Sequence, residues 1–129
     1  MKRLAPLALL ALFPVSAVAD ASSECAIDLG SQVEIGNCVA DTEKKALQAM
    51  DIILGFARTS AQELDEITGR EVALPALEAS QVAWEAYRDA QCDYVGAGFG
   101  GGSGTGIAIL SCKVDLTRAR TKELEAQLR

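Results

Sequence analysis

Several residue groups in this 129-residue chain have types and spacings that could do chemistry. Residues 96–106 read GAGFGGGSGTG, and Gly96-x-Gly98-x-x-Gly101 has the formal spacing of a dinucleotide-binding turn. That motif needs a strand before it and a helix N-terminus after it to hold a pyrophosphate. Here a helical stretch precedes the glycines, and no βαβ unit can be read. No lysine follows them, as a phosphate-binding loop would require. Ser103 lies between glycines, but the GxSxG spacing of a nucleophile elbow fails at Thr105. The chain has no histidine to activate a serine. Its absence also removes Ser-His-Asp and Cys-His catalysis and every His-ligated metal site. The carboxylates Glu63, Asp65, Glu66 and Glu71 could supply the pair a glycosidase uses. They read as one exposed helical face, and a thin helical domain offers little room for a cleft. The expectation is a protein that works by binding, with no enzyme activity, no cofactor and no metal.

Four cysteines remain: Cys25, Cys38, Cys92 and Cys112. No CxxC occurs, and their spacings fit no zinc motif. An even number in an exported chain reads as two disulfides. Four cysteines allow three pairings, and sequence alone does not choose among them. Cys25–Cys38 with Cys92–Cys112 is the favoured one because it closes two short loops. The densest stretch is Gln81 to Cys92. Gln81, Trp84, Arg88 and Cys92 follow 3-4-4 spacing and share one side of a helix. Trp84 would supply core area between neighbouring helices. Arg88 would lay its stem along the same face and direct its guanidinium to a carboxylate or helix end. Two polar residues on a partly buried stripe need partners, and Thr117 and Arg120 are the expected suppliers of hydrogen bonds.

The elements that must position these groups are helices. Ser31 and Glu34 form a possible capping box. Leu47, Met50, Leu54, Ala57, Ala61 and Leu64 then step by 3 and 4 along one helical face, ending at Thr68-Gly69. This predicts a first long helix over about 31–68, with residues 20–30 irregular and Gly36 a weak spot near its start. Pro75 belongs in a helix's first turn, so a second helix is predicted from near 74 to about Val95. Leu77, Trp84, Tyr87, Cys92 and Val95 give it an apolar side. The glycine run, 96–106, reads as a loop. A third helix follows from about Ile107 to Leu128, with Leu110, Val114, Thr117, Thr121, Leu124 and Leu128 facing inward. No segment alternates with period two. The expected fold is all-α: a small three-helix antiparallel bundle with a Gly-rich loop between the second and third helices, stapled by two disulfides.

Residues 1–19, MKRLAPLALLALFPVSAVA, read as a signal peptide: a basic start, a short apolar run and a small-residue cleavage site before Asp20. The run is too short for a membrane span. Residues 20–129 then form the mature domain, periplasmic or secreted and without a membrane anchor. They hold 50 apolar residues of 110, of which 17 are Ala, so the core is thin and suits covalent support. The chain's net charge is −6, but the mature part carries −8 and residues 20–95 carry −10. Such acidity excludes a nucleic-acid reader. It reads either as a solvated face or as an electrostatic face for a basic partner.

Taken together, Gln81, Trp84, Arg88, Asp89 and Cys92, then Gly101-Gly102-Ser103, Cys112, Leu116-Thr117, Arg120 and Leu124, resemble the LprI-type lysozyme inhibitor family. The resemblance reaches back to Cys25 and Cys38 and covers nearly all of the mature chain. Where family members often carry Leu-Asn-x-x-Tyr in the first helix, this chain has Met50-Asp51-Ile52-Ile53-Leu54. The resemblance implies a secreted or periplasmic, helical, disulfide-bonded protein, and for some members inhibition of lysozyme. It implies a structural or partner-binding role for Gln81, Trp84, Arg88, Asp89, Gly102, Ser103, Thr117 and Arg120. The accessible loop, with Phe99 and Ser103, is the candidate partner-binding segment. The alternative is an envelope scaffold with another protein partner.

Overall fold

The computed structural model describes residues 20–128; the expected signal segment, 1–19, lies outside them. The described chain is all helical: α1 (Ala21–Ala26), α2 (Gln32–Thr68), α3 (Ala73–Ala97) and α4 (Thr105–Gln127). The four helices correct the expectation of three. Residues 20–30 were expected to be irregular, yet α1 forms there because both its ends are fixed. The Asp20 carboxylate accepts from the Ser23 backbone N–H at 2.7 Å, capping the N-terminus. Ala21 and Cys25 are buried against Val39 of α2 and Val114 of α4. Six residues have too little length to show a period, so pattern alone could not reveal them.

The start of α2 is local chemistry. Ser31 Oγ accepts from the Glu34 N–H, and the Glu34 carboxylate accepts from the Ser31 N–H, both at 3.2 Å. Gly69 ends the helix in the left-handed region, with φ 65°. Pro75 falls in the first turn of α3, where its missing N–H leaves no intrahelical bond unmade.

Residue pairs give the helix directions. Gly36 faces Ile107 at the start of α2 and α4, and Met50, Leu54 and Ala57 meet Leu124 toward their ends. These two helices therefore run the same way. α3 runs against both, since Gly96 meets Ile109 while Gln81 meets Arg120. The α2–α4 contact is the most extensive, followed by α3–α4. One core cluster gathers Ala21, Cys25, Val39 and Val114; the other gathers Met50, Leu54, Ala57 and Leu124. Burying each of Val39, Val114 and Leu124 contributes about 1.5–3 kcal/mol. Cys25–Cys38 and Cys92–Cys112 are the two disulfides, each tying helix ends together.

The glycine segment is shorter than expected. α3 continues through Ala97 and α4 begins at Thr105, so only 98–104 lies between helices. Gly96 belongs to the α3–α4 contact: a Cβ there would overlap the Ile109 side chain. Its lack of a side chain lets two helices approach, a use of glycine that composition does not distinguish from loop making. Gly100 and Gly101, with φ 61° and 78°, make the turn. Three apolar residues also depart from expectation. Leu64 is exposed because α4 has ended at that level, Leu128 is exposed at the C-terminal end, and Tyr87 sits on the rim of an open groove beside Gln91 and Asp115.

Candidate functional site

The dense α3 stripe does converge on α4. Gln81 is buried, and its side-chain oxygen accepts from Arg120 Nε at 3.3 Å. Arg120 Nη2 also donates to Ser80 Oγ at 2.8 Å and Nη1 to Glu123 at 3.2 Å. The Gln81 amide nitrogen donates to Glu85 at 3.2 Å and lies 3.9 Å from the Met50 sulfur on α2. This chain of contacts ties three helices through one buried guanidinium. Its fork satisfies three acceptors at once, which a lysine could not do.

Thr117 does not supply the expected hydrogen bond. It is fully buried, and its hydroxyl has no partner among the described residues. Only its carbonyl takes part, accepting from Thr121 Oγ1 at 2.9 Å. Further along the stripe, Arg88 lies over the Trp84 ring, 5.3 Å from its centroid. Its guanidinium bonds Asp89 at 2.9–3.0 Å, and Lys113 of α4 reaches the same carboxylate at 3.4 Å. Burial pushes the Asp89 carboxyl up, but the Arg88 bond and the charges of Arg88 and Lys113 outweigh it and hold the group below its usual range. Trp84 is half-buried and packs on the Met50–Leu124 cluster. Cys92 then locks the stripe to Cys112. Gln81, Trp84, Arg88, Asp89 and Arg120 thus line one seam between α3 and α4, while Thr117 is buried on α4 without a side-chain bond to it.

Gly102 and Ser103 are not part of it; they lie exposed in the 98–104 turn. Phe99, half-exposed, lies against Gly104 and borders open grooves on two sides. One of them holds Asp115, whose carboxyl is pushed up by burial and then by the neighbouring Asp20 charge.

Asp65, read in the sequence only as part of an exposed acidic face, has a role that the sequence did not show. It lies in the last turn of α2, yet it accepts from the backbone N–H groups of Val72 at 3.1 Å, Ala73 at 2.8 Å and Leu74 at 3.0 Å. Ala73 and Leu74 are α3's unpaired first donors, while the Val72 N–H also reaches the Arg70 carbonyl at 3.0 Å; together they hold the carboxyl below its usual range. The available signal was Val72, which cannot cap a helix itself. Its neighbour Glu66 accepts from Gln62 at 2.9 Å on the surface. The four acidic residues are therefore not one equivalent face: Asp65 is committed to the turn.

The arrangement defines an all-α, two-disulfide domain whose named polar residues lock helices together. The chain belongs to the family described as Lysozyme inhibitor LprI, whose pattern matches residues 22–124. An uncharacterised protein of Rhizobium meliloti (strain 1021) is 34% identical over 101 residues, covering 74% of this chain and 72% of the relative. No solved structure matches the chain.

Proposed function

We propose that this protein is exported to the cell envelope and protects the wall by binding lysozyme, acting as an inhibitor and not as an enzyme. The observation that carries the reading is family membership over almost the whole described domain. Three features support it. Residues 1–19 have the make-up of an export signal. The two disulfides suit a periplasmic or secreted location. The net charge of −10 on residues 20–95 would attract a basic enzyme such as a lysozyme. No helix among the described residues is long and apolar enough to cross a membrane. Within this reading, Gln81, Trp84, Arg88, Asp89 and Arg120 keep the α3–α4 seam rigid, and Phe99 and Ser103 lie exposed in the turn beyond it.

A cell-wall lysis assay with the purified exported protein tests this. Micromolar protein slows clearing by a hen-type or goose-type lysozyme at low salt. The effect weakens as ionic strength rises, because screening shortens the reach of the acidic face. Undiminished lysis by both enzyme types at low salt would refute the proposal.

A further inference from the structure

Among the described residues, only two helices continue beyond the last turn of α4. Leu124 lies beside Leu54 and Ala57 of α2 and Leu77 of α3, and α4 ends three residues later at Gln127. α2 goes on to Thr68. At 1.5 Å per residue, about 12 Å of helical hairpin stands clear of α4. It is stiff at both ends. Arg58 forks onto Glu78 at 2.6 and 3.1 Å across its base, and Asp65 stitches its tip to α3.

This projection leaves large aliphatic side chains without partners. Ile67 is 83% exposed, Val72 53% and Leu64 52%. Leu64 and Val72 border a shallow depression of about 190 Å³ that Arg70 also lines, and Gln62, Glu66, Glu71, Leu74 and Pro75 line a larger one of about 650 Å³. Around this apolar surface, residues 59–76 hold four carboxylates and a single cation, Arg70. Exposed apolar side chains flanked by charged ones are the build of a protein-binding surface. The 98–104 turn, by contrast, contains no charged residue.

We propose that the α2–α3 hairpin end is the surface that docks a basic protein, with Ile67, Leu64 and Val72 as apolar anchors and Glu63, Glu66 and Glu71 as the acidic rim. The partner's identity as a lysozyme rests on the function proposed above; the hairpin names where it is held. Charge complementarity selects a basic partner, because the rim would repel an acidic one. Asp65 is outside the rim, since its carboxylate is occupied in capping α3.

The test is direct binding of hen-type lysozyme to the whole exported protein at low salt, measured beside lysis. Two independent hairpin variants, Ile67→Ser and Glu66→Lys with Glu71→Lys, each weaken binding at least tenfold. Asp28→Lys with Asp93→Lys makes the same change in net charge away from the hairpin and alters affinity less than threefold. Phe99→Ala does the same. All four retain wild-type helix content by circular dichroism, because every substituted side chain is exposed. Hairpin variants that bind within twofold of wild type overturn the inference, as does an equal loss in the distant charge pair. A loss confined to Phe99→Ala also overturns it and puts the contact on the turn. Wild type that binds through the hairpin without slowing lysis supports the inference and removes inhibition. Wild type that does not bind removes both.

Discussion

Arg120 and Thr117 lie three residues apart on α4, and both are buried. Their energetics differ in sign. Each of the three Arg120 guanidinium nitrogens donates one bond, to Gln81, Ser80 and Glu123. Arg120→Met removes the only side-chain donor to the buried Gln81 oxygen among the described residues. The expected loss is about 2 kcal/mol, read as a lower urea midpoint with an unchanged slope. Arg120→Lys gives little rescue, because an ammonium cannot span the three acceptors. Thr117 is the opposite case: a fully buried hydroxyl without a partner. Thr117→Val keeps the shape and removes the desolvated oxygen, so stability rises by about 1 kcal/mol. A thermal melt that shifts downward in Thr117→Val would contradict this account.

The start of α3 shows how one element depends on another. Its own N-cap position, Val72, contributes no side-chain bond, and the cap comes from Asp65 of α2. Asp65→Ala leaves the Ala73 and Leu74 N–H groups without an acceptor and lowers the melting temperature by several degrees at neutral pH. The pH dependence has a definite sign. The folded carboxyl titrates below its unfolded value, so its contribution is complete above the unfolded value, near pH 4, and is lost as pH falls through the folded one. The gap between wild type and Asp65→Ala is therefore constant from pH 5 to 7 and narrows below pH 4. Parallel melts across that range check it. The start of α2 was legible in the sequence because Ser31 and Glu34 are three residues apart. The start of α3 was legible from Pro75, but its cap was not, because that bond crosses a turn.

At the scale of the molecule, a small core is held by two short covalent loops. Cys25–Cys38 spans 13 positions and Cys92–Cys112 spans 20. In the chain-entropy account each constrains the unfolded state by about 3 kcal/mol. Cys25→Ser with Cys38→Ser is expected to release α1, whose six residues cannot persist alone. Amide exchange should then become fast at residues 21–26 while the α3–α4 seam stays protected. Removing Cys92–Cys112 should instead loosen that seam and destabilise the whole domain. Loss of protection throughout the chain after freeing α1 alone would show that α1 is integral to the cooperative unit.

Sequence by itself determined the helical class, the three long helices to within a few residues and the stripe from Gln81 to Cys92, and it favoured the cysteine pairing that the structure shows. All of these rest on short-range periodicity, local caps or loop length, which the order of residues records directly. Tertiary structure alone decided that Gly96 is a helix contact and not loop, that Thr117 is buried without a partner, and that Asp65 serves a different helix. It also decided that Leu64, in step with a buried face, stands in the open. That face is buried only as far as α4 reaches. A helix's period fixes which residues share a side, but only the length and direction of its neighbours fix what covers them.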